Sequence, residues 1–194
     1  DLSVSRATLI TDAVAGDTTA SVINVALDTD KSALEGVTYM TSGNGQINMW
    51  LQNGASWNNE VHGSTEKDWK GNSLFNGSQV TSFAGGATAA AAGNIYQKDS
   101  NALTIDNYSG NTNIFYEHTG DGVTFNAGDT IIKHAEKDSV VNLITSSKGL
   151  SINAETINNT LSALAGKLTY TNYKDGERNL DGKVKIAGGL TSDS

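Results

Sequence analysis

The chain has 194 residues with 21 Gly, no Pro and no Cys, and carries a formal net charge of −8; without Cys it can hold no disulfide and no thiolate metal site. The acidic balance, with Arg only at Arg6 and Arg178 and Lys scattered singly, argues against a nucleic-acid partner. No stretch approaches the roughly 20 apolar residues that span a bilayer, and the first five residues lack the basic and apolar regions of a signal peptide, so the chain is expected to be a mature fragment of something longer.

Short apolar or alternating clusters recur about every 9 to 13 residues, each reading as one strand, with turn dipeptides between them. The first two, 37–40 and 47–51, flank Ser42-Gly43. In the second, alternation sends Ile47, Met49 and Leu51 inward and throws Trp50 outward. Asn53-Gly54 follows, and Trp57 is expected to pack over that corner. Residues 58–72 (NNEVHGSTEKDWKGN) are polar and charged without an apolar rhythm, and read as a loop or a distorted coil.

After Asn76-Gly77 comes the cluster 80–83, then 84–93 (AGGATAAAAG), helix-permissive but short and Gly-flanked, where a flexible loop fits equally. Clusters at 103–105, 114–116, 123–125, 131–133, 140–144 and 150–152 continue the pattern, punctuated by Ser109-Gly110, Asp121-Gly122 and Ala127-Gly128. Residues 154–166 differ: Ile157, Leu161 and Leu164 stand at helical spacing, Asn153 can cap, and Gly166 before Lys167 can stop the helix. This predicts a short amphipathic helix packed by one face on the β body. The clusters 168–170 and 184–186 close the series, with Asp175-Gly176 and Asp181-Gly182 between them.

Short strands with Gly-rich corners suit either a sandwich of hairpins or a parallel β-helix. Asn-Gly and Asp-Gly favour hairpins. Against that, Pro is absent although sandwich edges and loops use it, several strands have only three or four residues, and Asn crowds the turns, where it can stack into ladders from coil to coil. The expected fold is therefore all-β: one parallel β-helix segment over 1–194, interrupted by the helix at 154–166.

Specific motifs point the same way. The run Gly45-Gln-Ile-Asn-Met-Trp-Leu-Gln-Asn-Gly-Ala-Ser-Trp57 resembles the coil of autotransporter passengers in which a strand leads to an "nGAsW" corner. Leu103-Thr-Ile-Asp-Asn-Tyr-Ser-Gly110 is similar to that family's "LTI-x-N-x-SG" coil, and Gly128-Asp-Thr-Ile131 to its "GD-x-I" step. The stretches 161–170 and 184–191 resemble a unit repeated in large anaerobe autotransporters. The resemblance covers 36–194 and implies a right-handed parallel β-helix displayed outside a bacterial cell, its parent held in the outer membrane by a C-terminal barrel. The helix at 154–166 departs from strict coil periodicity. A trimeric coiled-coil adhesin is not supported, because no heptad is sustained.

Catalytic signatures are missing. His62, His118 and His134 fall in different coils, and no HExxH, GxSxG, Walker or dinucleotide pattern occurs. Asp12 with Asp17, or Asp28 with Asp30, could act as a paired-carboxylate site of a polysaccharide-active β-helix enzyme, which is the alternative reading. Asp28-Thr-Asp-Lys-Ser32 begins like a calcium loop, but Ala33 replaces the needed Gly and Tyr39 the bidentate Glu, so a solvated turn is expected, with no metal and no cofactor. Exposed aromatics are better candidates for contact. Trp50, Trp69 and His62 are the expected binding residues, and a protein or glycan of a host or neighbouring cell surface the expected partner.

Overall fold

The computed structural model describes residues 1–11, 18–19, 21–40, 44–60, 77–97, 101–116, 130–145, 167–171 and 184–186. Two sheets face each other. The first holds β1 (Ser3–Thr11), β3 (Ala33–Met40), β5 (Ser56–Asn58), β7 (Gly93–Gln97), β9 (Asn111–Tyr116), β11 (Val140–Thr145) and β12 (Lys167–Thr171) in that order. The second holds β2 (Ser21–Leu27), β4 (Gly45–Leu51), β6 (Ser78–Ala84), β8 (Leu103–Ser109), β10 (Thr130–Ala135) and β13 (Val184–Ile186). From β1 to β11 the chain alternates between sheets, and every strand pairs in parallel with the strand one coil away. This is a parallel β-solenoid of about four turns.

Coil length varies. Partners stand roughly 19 residues apart from Gly93 to Thr112 and roughly 38 from Ser56 to Asn94. From Thr130 to Val184 the step is roughly 54 residues, about two ordinary coils.

The core is a set of rows running up the stack. Val80, Ile105 and Ile132 are register partners on the second sheet, as are Met49, Phe83 and Tyr108. Leu34, Trp57, Ile95 and Ile114 form the facing row. All are buried. Trp57 stacks on Phe83 between the sheets at 6.4 Å, and Phe83 on Tyr108 within the second sheet at 6.1 Å, contacts that add to the area term.

Trp57 is a correction: it does not cover a corner but lies in β5, 0% exposed. Its burial is tolerable because the indole Nε1–H donates to the Gly36 carbonyl at 3.1 Å. The corner has already closed at Asn53 and Gly54, both at positive φ (53° and 80°). Their N–H groups donate to Ala91 and Ala92 of another coil, at 2.7 and 3.0 Å, so an Asn-Gly pair that could have made a hairpin turns the chain between sheets.

A second correction concerns 58–72. Asn58 ends β5, and Asn59 is buried at the centre of a polar network, so the segment starts as structure, while 61–72 lie outside the described residues. Asn59 donates to Gln97 (2.9 Å) and accepts from Ser78 (2.6 Å) and Asn101 (2.7 Å), while Gln97 donates to Thr130 (3.2 Å). The network satisfies buried groups of three coils at one corner. Within 84–93, Ala84 ends β6, Gly93 opens β7, and Ala89–Ala91 is a 3₁₀ turn capped by the Thr88 hydroxyl. The clusters expected at 123–125 and 150–152 and the helix expected at 154–166 lie outside the described residues.

Candidate functional site

The outer faces of the two sheets differ. On the first, Asn94, Asn113 and Asn142 form a ladder in which each amide donates to the one before, at 3.0 and 3.1 Å, and Tyr96 stacks on Phe115 at 4.6 Å. The donors of this face serve the fold. A shorter ladder links Asn48 to Asn24 (3.0 Å) on the second sheet, but beyond it that face opens.

The opening has a local cause. The end of β3 wedges beside β6: the Thr38 hydroxyl donates to the Gln79 carbonyl (2.7 Å) and accepts from the Gln79 N–H (3.1 Å). β4 and β6 consequently pair only at Asn48–Trp50 and Ser82–Ala84. Where they part, a groove of about 340 Å³ is lined by Met40, Gly45 and the polar side chains of Gln46, Gln79, Thr81, Thr104, Asp106 and Lys133. Gln79 Oε1 accepts from the Met40 N–H (3.2 Å) and Thr81 Oγ1 from the Ile47 N–H (3.1 Å), which fixes both. Asp106 and Lys133 pair across neighbouring strands at 3.2 Å, their side chains 36% and 47% exposed.

Beside the groove, toward the strand ends, lies a notch of about 120 Å³. Trp50, 41% exposed, borders it. Met49, Phe83 and Tyr108 form its floor with their side chains buried in the core, and Ser82, Asn107, Ser109 and Glu136 supply polar groups. Asn107 Nδ2 donates to the Thr81 carbonyl (3.1 Å). Burial raises the Tyr108 phenol above its ordinary range, so this residue stays neutral and its hydroxyl donates to the Val140 carbonyl (2.5 Å).

Of the residues singled out in the sequence, Trp50 stands where alternation put it, with Ile47, Met49 and Leu51 buried behind it. Trp69, His62 and His118 lie outside the described residues, as do Asp12 and Asp17. His134 is exposed on β10, in register with Asn107. Asp28 and Asp30 are exposed around a turn that Ser32 N–H closes on the Thr29 carbonyl (3.0 Å). Among the described residues no group of three His, Cys, Asp or Glu is placed to hold a metal ion. The groove lining contains one carboxylate, Asp106. Sequence reading missed Gln46, Gln79, Thr104, Asp106 and Lys133; their signal was only their outward place in alternating strands.

No family model, no curated protein and no solved structure matches the chain.

Proposed function

We propose that this chain is a segment of a surface-displayed bacterial adhesin or of its stalk, built like an autotransporter passenger, extracellular, and held to the outer membrane through a barrel elsewhere in the parent. One observation carries the reading: the inner rows, the corner network and the first sheet's ladder hold the fold, while the outer face of the second sheet leaves Trp50 exposed beside a polar groove. Contact and stability are thereby separable, as reach and adhesion require. Support also comes from where the motifs fall. The Gly45-to-Trp57 run coincides with β4, its positive-φ corner and β5, and the Leu103-to-Gly110 run with β8 and the corner at Gly110 (φ 79°).

The test is adhesion of beads coated with the purified chain to layers of host or neighbouring bacterial cells under flow. The reading expects coated beads to hold where blocked beads wash off, and Trp50→Ala to weaken holding without changing the β-rich circular dichroism. Washing off alike would refute the contact role. The groove also keeps the polysaccharide-active reading in view, through its carboxylate. Glycan turnover abolished by Asp106→Asn would replace adhesion with catalysis.

A further inference from the structure

We propose that the groove and the Trp50 notch form one site for an uncharged oligosaccharide lying along the strands of the second sheet; this rests on the contact reading above and names its ligand. The two depressions share β6 and β8, with Thr104 and Asp106 in the groove and Asn107 and Ser109 at the notch. At about 3.3 Å per residue, Thr104 to Ser109 covers about 17 Å, room for a chain of roughly three sugar units. The groove's volume lies in the range of small-ligand sites.

The chemistry of the lining selects the ligand. A pyranose presents an apolar C–H face and a rim of hydroxyls, each both donor and acceptor. The Trp50 ring, exposed on the outer face, matches the apolar face. The rim meets amides and hydroxyls that can donate or accept in turn. Several of these are already oriented by the fold. Gln79 is held through Oε1, which leaves its amide nitrogen to donate, and Asn107 is held through Nδ2, which leaves its carbonyl to accept. Such preorganisation on strands lowers the entropy lost on binding.

Electrostatics exclude the acidic alternatives. Asp106 is matched by Lys133, so the groove offers no net positive charge. Glu136 stands at the notch, and the chain as a whole carries −8. Sulfated, sialylated or uronate-rich chains would be repelled by this field, neutral hexose and N-acetylhexosamine chains would not.

The experiment is a glycan array probed with the chain, followed by calorimetry with the best neutral trisaccharide and with sialylated and sulfated counterparts. Neutral oligosaccharides should bind and anionic ones should not. Trp50→Ala should weaken binding by about tenfold or more, and Thr104→Val by several-fold, each with an unchanged melting temperature. Thr104 provides a second variant in case Trp50→Ala perturbs folding. Binding confined to anionic glycans or to peptides, no glycan binding at all, or full affinity in both variants would overturn the inference. If beads adhere through Trp50 while no glycan binds, contact stands and the ligand is wrong. If glycans bind while beads wash off, the site stands and adhesion fails.

Discussion

Trp57 is the side chain whose removal should reveal most about how the coils hold together. Its ring is fully buried, stacks on Phe83 at 6.4 Å, and spends its polar hydrogen on the Gly36 carbonyl at 3.1 Å. Trp57→Ala deletes a large core ring, a change that costs ~3–5 kcal/mol elsewhere, and strands a buried carbonyl for about 1 kcal/mol more. Against a whole-domain stability of about 5–15 kcal/mol, that is a large fraction. Trp57→Phe keeps a ring but loses the donor, so it should cost about 1–3 kcal/mol. Trp50→Ala, seven positions earlier on the outer face, should stay within about 0.5 kcal/mol. Urea unfolding followed by circular dichroism measures all three. A Trp57→Ala loss below about 1 kcal/mol, or a Trp50→Ala loss equal to it, would refute the division between inner rows and outer face.

Other consequences can be measured alongside. Because burial raises the folded-state pKa of Tyr108, its stabilising share is complete below the ordinary tyrosine range, near pH 10; above that the unfolded chain ionises first and stability falls by up to ~1.4 kcal/mol per pH unit. Alkaline unfolding curves should show this, and Tyr108→Phe should flatten the slope. Asn113 both donates to Asn94 and accepts from Asn142, so Asn113→Ala should cost about 1–3 kcal/mol by chemical denaturation. Asn59→Leu should cost more, about 3 kcal/mol or above, since it leaves Ser78, Gln97 and Asn101 short of partners in a buried corner. Lys133→Met breaks an exposed pair and should change thermal stability by less than about 1 kcal/mol, with even that difference fading in high salt.

Much of the fold was written in local chemistry. Alternation in 47–51 placed four side chains correctly, and the surplus of Asn with no Pro pointed to stacked coils, as the ladder from Asn94 to Asn142 bears out. What escaped was short or masked by context. β2 alternates, yet it has a neighbour on one side only and leaves Val22 48% exposed, so apolar residues sit on both faces. β1 hides its rhythm behind an irregularity between Val4 and Ala7, where Arg6 takes φ 54°. β5 has three residues and one apolar side chain, too little for any period. The groove was the least legible. Gln46, Gln79, Thr104 and Lys133 come from different coils, and coil lengths that vary with each insertion set a register no linear pattern records.

The proposed contact face exists only if Asn24, Asn48, Ser82, Asn107 and His134 stand in one row, each a coil beyond the last. The absence of native Cys lets nitroxide labels be attached at chosen Cys substitutions. Electron paramagnetic resonance distances from a label at position 24 should then lengthen by about 4.8 Å per coil, reaching backbone separations of about 14 Å at position 107 and about 19 Å at position 134. Distances that fail to rise in the order 82, 107, 134, or that place 24 and 134 beyond about 30 Å, would contradict the parallel stack and the face it carries.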